Sequence, residues 1–271
     1  MDRRLPFMLL LGWLLLSAAW TAVAQGPDVD ISANRTFPIT PMQAENQDIV
    51  IEVWSDFVCP FCYIGKRNLE QALAGFAHVE RVQVVHRCYQ LDPGAAPAPG
   101  ADVYATLAVS KGISVEESRL LHAQVTERAR ASGLDFDFDR AVPVNTGRSH
   151  RWMVAARGTG RESALAEAIF RAYFTEGRDI GDVTELRALA EEAGWQGADL
   201  DALQARAEGE DPAALDRTVA LEMEAAWRGQ VRGVPHYRFS ATGQTVRGAQ
   251  PPQAFLEALN EAARAVEAGP R

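Results

Sequence analysis

The sequence predicts an α/β protein in which a long helical stretch separates two parts that contain strands. Residues 48–54 are an apolar, β-branched run that is typical of a buried strand. A helical pattern starts at Pro60, soon after that strand. Capping signals for several helices then occur within 102–229, and short strand patterns return after residue 230. This order places the chain in the α/β class with an all-helical insertion.

Residues 1–24 have the parts of a secretory signal peptide. Arg3 and Arg4 precede an apolar run over 7–16, and the segment ends in "AVA". An uncleaved membrane anchor is the alternative, because the mostly apolar run from Leu5 to Ala24 is just long enough to span a bilayer. Small residues replace leucine towards the A-x-A site, which favours cleavage. The chain is therefore predicted to be exported, periplasmic or secreted, with a loose polar arm over 25–47.

The charge balance of the chain limits its partners. The 271 residues include 27 Lys and Arg against 36 Asp and Glu, a formal net charge of −9. An acidic chain of this kind lacks the basic footprint that nucleic acid requires. It is equally unsuited to an anionic membrane surface. Nucleic acid is therefore excluded as a partner, and no stable membrane association is expected once the signal peptide is removed.

The first predicted helix begins with the residues CPFC at 59–62. Proline is favoured at the first helical position, so Pro60 makes Cys59 the N-cap. A thiolate at the N-cap would accept the free N–H groups of the first turn and face the positive end of the helix dipole. Cys62 lies one turn further on, where it can close a disulfide with Cys59 or resolve a mixed one.

A zinc site and an inert disulfide are the other interpretations of the C-x-x-C pair. The chain has three cysteines, and its five histidines are scattered without the spacing of metal ligands, so no metal and no other cofactor is predicted. A disulfide that closes a loop of four residues constrains the unfolded chain little. A redox couple is therefore the preferred interpretation.

Capping residues mark the helices of the predicted insertion. A Pro/Ala/Gly-rich stretch at 92–101 ends the first strand-containing part, 48–101, in which "VQVVHRC" is a second predicted strand. A Ser or Asp followed three residues later by Glu is the pattern of a capping box, and glycine is typical of a helix end. Helices are predicted to begin at Ser114, Asp182 and Asp211 and to end near Gly133, Gly194 and Gly229.

The last part, 230–271, returns to an α/β pattern. Short strands are predicted near 236–240 and 244–248, and a final helix is predicted from Pro252. The chain must therefore cross the insertion and come back before the second part can pair with the first. An insertion of this size is expected to overhang the C-x-x-C motif and to hold a client polypeptide in an apolar groove, with a purely structural cap as the alternative.

Six motifs occur in order between about Ile49 and Leu259: "WSDFVCPFCYIGKRNLEQAL", "VVHRCYQLDP", "GLDFDFDRAVPVNTGRSHR", "FRAYFTEGRDIGD", "GVPHYRF" and "GAQPPQAFLEAL". With these motifs the chain resembles the DsbA-like branch of the thioredoxin fold, and it is most similar to the FrnE-type dithiol–disulfide oxidoreductases. The resemblance implies a thioredoxin fold interrupted by a helical insertion, and an enzyme that exchanges disulfides with exported proteins and is recycled by a redox partner.

The same resemblance assigns a role to Val234 and Pro235. An X–Pro bond is ordinarily trans, and only about 5–6% of such bonds are cis. In the thioredoxin fold, a cis-proline lies beside the C-x-x-C motif and exposes the preceding backbone for pairing with the substrate. Pro235 stands at the head of a predicted strand, where its missing N–H is tolerated. The Val234–Pro235 bond is therefore expected to be cis.

The chain departs from the family pattern at two positions near the cysteines. Phe61 stands where DsbA has a histidine, so it offers no charge to the thiolate. Val53 stands where thioredoxin and DsbA bury a carboxylate that handles protons, and Glu52 falls on the opposite face of the strand. Asp56 is the nearest substitute for that carboxylate, although a solvated loop carboxylate is the slightly preferred interpretation.

The roles of several further residues are left open by the sequence. Cys88 is expected to be a buried, unreactive thiol, with a third redox cysteine as the alternative. A family segment is matched by Asn145, Thr146, His150 and Arg151, for which the residues themselves suggest only stabilisation of a helix start.

Three classes of function are consistent with these features. The preferred class is a thiol–disulfide oxidoreductase. A glutathione-dependent isomerase or transferase of the kappa or hydroxychromene-carboxylate isomerase type resembles the same fold, but it uses one serine and lacks the cysteine pair. A redox-silent binding or chaperone module would have no need for two cysteines.

Overall fold

The computed structural model describes residues 48–96, 102–209 and 211–269. The predicted signal peptide (1–24) and arm (25–47) lie outside the described residues, and so does part of the Pro/Ala/Gly-rich stretch. Among the described residues, no helix is both long and apolar enough to cross a lipid bilayer.

Four strands form a single mixed sheet: β1 (Ile49–Ser55), β2 (Val82–Cys88), β3 (His236–Phe239) and β4 (Thr245–Arg247). Their order across the sheet is β2-β1-β3-β4. The central strand β1 runs parallel to β2, with Ser55 opposite Cys88, and antiparallel to β3, with Val53 opposite Tyr237. Strand β4 pairs antiparallel with β3.

Helices α1 (Pro60–Ala74) and α9 (Pro252–Ala268) cover one face of this sheet and enclose its core. Strand side chains alternate between the faces, so one set of β1 residues points into this core. Burying these apolar side chains is the main stabilising term for this half of the molecule. The core residues include Ile49, Ile51, Val53, Leu69, Phe76, Tyr237, Phe239, Phe255 and Leu259.

Between β2 and β3, the regular elements of the described residues are all helices, and loops join them. A five-residue π-helical turn, Ala172–Glu176, continues the fourth of these helices. The helices are α2 (Val103–Lys111), α3 (Val115–Ala131), α4 (Gly147–Ala155), α5 (Glu162–Arg171), α6 (Val183–Glu192), α7 (Gly197–Glu208) and α8 (Pro212–Arg228). The predicted fold class, a thioredoxin fold interrupted by a helical insertion, is confirmed.

The helix starts in the insertion follow the predicted capping residues. Ser114 and Glu117 form a reciprocal capping box at α3. Asp182 accepts two backbone N–H groups at α6, but Glu185 does not complete the box because it pairs with Arg178 instead. These side chains bond to N–H groups that have no partner within the helix, which is why their positions are legible in the sequence.

Helix α8 packs against the other face of the sheet, next to β2. There Glu52 pairs with Arg87 of β2 and Arg238 of β3, and Arg87 also pairs with Glu222 of α8. Burial opposes ionisation of Glu52, but hydrogen bonds from the two arginines outweigh it and lower the pKa of that carboxyl. Glu52 therefore joins β1 to both neighbouring strands on the sheet face opposite the one that α1 and α9 cover. The sequence predicts this orientation, because Glu52 and Val53 point to opposite faces of the strand.

Candidate active site

The C-x-x-C motif lies where β1 ends and α1 begins. Cys59 is the N-cap of α1, with extended backbone angles of φ −91° and ψ 111°, and Pro60 is the first helical residue. The Cys59 N–H donates to the Asp56 carbonyl at 3.1 Å, and the Cys62 N–H donates to the Cys59 carbonyl at 2.9 Å. These bonds fix the turn, so both sulfurs are placed by the backbone of the strand–helix junction.

The Cys59 sulfur differs from the predicted arrangement. Its side chain makes no cap hydrogen bond with the first turn of α1; the thiol instead donates to the Val234 carbonyl at 3.7 Å. A neutral thiol is a donor, whereas the N–H groups of the first turn need an acceptor, so the protonated form turns towards a carbonyl. The predicted acceptance of those N–H groups belongs to the thiolate form.

Cys62 is the more enclosed of the two thiols, with 2% of its surface exposed. Its sulfur accepts the backbone N–H of Asp56 at 3.5 Å. Burial raises the pKa of the Cys62 thiol well above its ordinary value, and a hydrogen bond with Cys59 raises it further. Cys62 is therefore held as the thiol in the reduced pair.

The loop before β3 forms the opposite wall of the site. The Val234–Pro235 peptide bond is cis, as the resemblance implied. Pro235 is buried, whereas Val234 is half-buried and its carbonyl faces Cys59. Gly65 of α1 allows this close approach, since a Cβ there would overlap the Tyr237 hydroxyl and lie 3.1 Å from Pro235 Cγ.

The insertion reaches the cysteine motif through Arg128 of α3. Its guanidinium lies over the half-buried Phe61 ring, 5.4 Å from the centroid, and donates to the Ala249 carbonyl at 3.0 Å. One side chain thus touches the residue between the cysteines and the chain that follows β4. This contact places the insertion at the edge of the site.

The interpretation of Asp56 as a solvated loop carboxylate is wrong. The residue is 1% exposed, because the chain that leaves β2 covers it. One oxygen, Oδ2, accepts the Leu91 N–H at 2.7 Å, and the other, Oδ1, lies 3.3 Å from Nε2 of His150. Burying even a neutral polar group without hydrogen bonds costs about 2–7 kcal/mol, and burying a carboxylate without them costs more. Asp56 therefore needs these partners.

His150 is the site residue whose role the sequence did not indicate. It belongs to α4, 94 residues from Asp56, and is 3% exposed with its ring 5.1 Å from that of Phe57. The helix start predicted for the same segment is stabilised by Asn145, whose Oδ1 accepts the Gly147 N–H at 2.9 Å. The family segment was the available signal, but no spacing rule relates α4 to the end of β1.

Cys88 and Arg151 are held by contacts with the insertion. Cys88 is 2% exposed and packs with Val154 and Met223, and burial raises the pKa of its thiol well above the ordinary value. Arg151 pairs with Asp216 of α8 at 3.5 Å. These observations agree with the expected buried thiol and give Arg151 a structural contact.

The described residues contain no group of three or more His, Cys, Asp or Glu side chains that could hold a metal ion. The groups at the site are two thiols at a helix start, the Val234 backbone carbonyl beside Cys59, and the Asp56–His150 pair, which is joined to Cys62 by the Asp56 N–H.

Comparison with known proteins gives the family. The DSBA-like thioredoxin domain matches residues 50–260. A probable DsbA oxidoreductase from Streptomyces coelicolor is 34% identical, with a TM-score of 0.70 over 79% of this chain and 90% of that one.

Two more distant structures show the fold alone. The cytosolic disulfide reductase DsbM from Pseudomonas aeruginosa, solved with GSH, is 18% identical with a TM-score of 0.56, over 79% of this chain and 99% of its own. A 2-hydroxychromene-2-carboxylate isomerase is 15% identical with a TM-score of 0.55, over 82% of this chain and 100% of its own. With the family match over most of its length, the chain belongs to the DSBA-like thioredoxin domain family of thiol–disulfide oxidoreductases.

Proposed function

We propose that this protein is an exported dithiol–disulfide oxidoreductase that exchanges disulfides with protein substrates through Cys59 and Cys62. The observation that carries the proposal is the inequality of the two thiols. Both thiols are buried, with 5% of Cys59 and 2% of Cys62 exposed, but Cys59 stands at the start of α1 facing the Val234 carbonyl, whereas the raised pKa of Cys62 keeps that thiol protonated. A nucleophile at a helix start and an enclosed partner one turn later are the requirements of a two-step exchange.

In the first step, the Cys59 thiolate attacks a client disulfide. The new bond joins Cys59 Sγ to one client sulfur, and the other client sulfur leaves with the electron pair. In the second step, Cys62 attacks Cys59 Sγ and releases the client thiolate, which leaves a Cys59–Cys62 disulfide. Val234 and Pro235 border Cys59 and are proposed to face the client backbone, with Pro60 and Phe61 shaping the turn.

The same steps in reverse oxidise a client dithiol. The direction in the cell is set by the reduction potential of the pair and by the redox partner that recycles it. The motifs quoted above support the further proposal that the chain is of the FrnE type. Export rests on residues 1–24, and it is tested by expressing the full chain and sequencing the N-terminus of the protein recovered outside the cytoplasm.

Exchange through the cysteine pair is tested with Cys59→Ser and Cys62→Ser. The Cys59→Ser variant is expected to lose reduction of insulin by dithiothreitol, because no thiolate remains at the helix start. The Cys62→Ser variant is expected to accumulate a mixed disulfide, because the resolving thiol is absent. Both are measured by insulin turbidity and by mass spectrometry under acid quench. A Cys62→Ala variant that turns over insulin at the wild-type rate would refute the two-step exchange.

A further inference from the structure

The carboxylate–imidazole pair of Asp56 and His150 has no part in the exchange described so far. Both side chains are almost fully buried, 1% and 3% exposed, so neither serves solubility. The Leu91 N–H and His150 Nε2 occupy both oxygens of the carboxylate. An ionised carboxylate only accepts hydrogen bonds, so Nε2 of His150 carries the proton that faces it. The other ring nitrogen, Nδ1, is then free to accept a proton.

This pair is connected to Cys62 through the end of β1. The backbone N–H of Asp56 donates to Cys62 Sγ at 3.5 Å, and the Ser55 hydroxyl also bonds to that sulfur and favours its ionised form. Ser55 and His150 line the same small cavity, which has a volume of about 10 Å³. That is close to the room one water molecule needs. The Ser55 hydroxyl thus links the Cys62 sulfur to a water-sized cavity that His150 also lines.

We propose that His150, oriented by Asp56, receives the proton of the Cys62 thiol when Cys62 resolves the mixed disulfide. The inference rests on the proposed function and adds to it the group that activates the second nucleophile. Cys62 is buried and protonated, so the second step cannot begin until its proton has a destination. His150 is the acceptor and Asp56 is a positioning residue.

The step balances as follows. The Cys62 S–H bond breaks and its proton passes by Ser55 and one water to Nδ1 of His150. The sulfur electron pair forms the bond to Cys59 Sγ, and the bond from Cys59 to the client sulfur breaks. The client sulfur leaves with that electron pair as a thiolate, and the imidazolium returns its proton to solvent. In the oxidising direction, the same imidazolium protonates Cys62 as it leaves Cys59.

Other titratable and charged groups around His150 are poorer acceptors. His86 lines the same cavity, but burial lowers the pKa of His86 to about 4, with Lys66 and Arg157 adding to the effect. Two residues of β2 also line the cavity, Arg87 and Cys88. Arg87 is always charged and cannot accept a proton, and burial raises the pKa of the Cys88 thiol, which keeps it protonated. The π-helical turn contributes Tyr173, whose pKa burial and the Asp56 charge raise.

The test separates the two steps in one experiment. The reduced enzyme is mixed in a stopped-flow instrument with the aromatic disulfide 5,5′-dithiobis(2-nitrobenzoate). Attack by Cys59 releases the first thionitrobenzoate, and resolution by Cys62 releases the second. The His150→Gln variant keeps a hydrogen-bonding side chain but cannot take a proton. We expect an unchanged first phase and a second phase slowed about 100-fold near neutral pH, as for loss of a positioned base.

A second variant and a matched histidine complete the design. Asp56→Asn is expected to slow only the second phase, by about 10-fold, and the deficit of both variants should shrink as pH rises because hydroxide replaces the base. His86→Gln, in the same cavity, should leave both phases unchanged. An unchanged second phase in His150→Gln, or equal slowing of both phases at every pH, overturns the proposal. Absence of the first release in the wild type would instead refute the proposed function.

Discussion

At the scale of single residues, environment distinguishes cysteines that the sequence shows as equals. Cys59 and Cys62 are only one helical turn apart, yet the pKa of Cys62 is raised by burial and by its bond with Cys59. Cys59 has the helix start and the Val234 carbonyl beside it instead. The chemical order of the two sulfurs therefore follows from the surroundings of each, a helix start for Cys59 and an enclosed, raised-pKa position for Cys62.

Cys88 is predicted to be inert in the folded protein. It is 2% exposed, and burial holds it as the thiol because its pKa is raised, so it lacks both access and nucleophilic form near neutral pH. Brief treatment of the reduced protein with iodoacetamide should label Cys59 and leave Cys88 unmodified, as read by peptide mass spectrometry. Labelling in urea is the control, in which all three cysteines should react. Native labelling of Cys88 would restore its alternative role as a redox cysteine.

At the scale of elements, the site depends on how closely α1 approaches the loop before β3. Gly65 lies on the face of α1 that meets this loop, where even a methyl group has no room. Glycine in a helix interior costs about 1 kcal/mol relative to alanine. Its presence in α1 is therefore explained by packing against Pro235 and Tyr237, not by helix propensity.

Gly65→Ala is accordingly predicted to destabilise the protein despite its better helix propensity. The added Cβ would overlap the Tyr237 hydroxyl, and overpacking of this kind costs about 1–3 kcal/mol. Urea unfolding should show a net loss of up to about 2 kcal/mol once the propensity gain of about 1 kcal/mol is subtracted. Gly75→Ala is the matched control at the end of the same helix, where the nearest atom would be Ala72 O at 3.7 Å. Equal stability of the two variants would contradict this account of α1.

At the scale of the whole molecule, ion pairs join the insertion to the thioredoxin-fold part. Glu167 of α5 accepts hydrogen bonds from Tyr63 and Arg67 and pairs with Lys66, all of α1, at distances of 2.6 Å. Burial opposes ionisation of Glu167, but Lys66 and Arg67 outweigh it and lower its pKa to about 2. The carboxylate is thus bound between the two parts.

Glu167→Gln is predicted to reduce stability in a pH-dependent way. The folded pKa of about 2 lies below the ordinary 4.5, so the stabilisation is fully present above about pH 4.5 and is lost as pH falls towards 2. Urea unfolding should show a deficit of about 3 kcal/mol near neutral pH that is mostly lost near pH 2. Glu127→Gln removes an exposed pair with Arg130 and should cost almost nothing. A deficit that is constant with pH would exclude the electrostatic explanation.

The insertion is also predicted to take part in binding protein substrates. Arg128→Gln would remove the side chain that joins α3 to Phe61 and Ala249 beside the cysteines. We expect KM for a protein disulfide to rise about 5-fold and KM for a small aromatic disulfide to change little. The reason is that only the larger substrate extends over this edge of the site. Arg130→Gln on the same helix is the control. Equal effects on both substrates would assign Arg128 a structural role only.

Local rules were sufficient for much of this architecture. The strand before the cysteines, the start of α1 at Pro60 and the capped helices at Ser114 and Asp211 all appear where the sequence predicts them. These features depend on residues within one or two turns of each other: a side chain that accepts a nearby N–H, a proline at the first helical position, or alternating burial along a strand. Such contacts can be deduced without knowing the fold.

The burial of Asp56 depended instead on residues remote in the chain. Leu91, after β2, and His150, in the insertion, both converge on its carboxylate. The residues next to Asp56 in sequence predict a solvated loop carboxylate, because none of them indicates that other elements cover it. Two contacts at the site depend on tertiary packing. Asp56 pairs with His150 because α4 packs near the end of β1, and the Val234 carbonyl lies beside Cys59 because the loop before β3 does so too.

The sequence by itself determined the fold class and the helix start that presents Cys59 and Cys62. Its resemblance to the family also predicted the cis bond before Pro235. Only the tertiary structure decided which thiol is enclosed, which carboxylate and imidazole lie behind it, and how Arg128 and Glu167 connect the insertion to the strands. The physical reason is the range of the interactions. Helix starts and strands are set by backbone hydrogen bonds between near neighbours, whereas desolvation and charge pairing depend on every element that packs around a group.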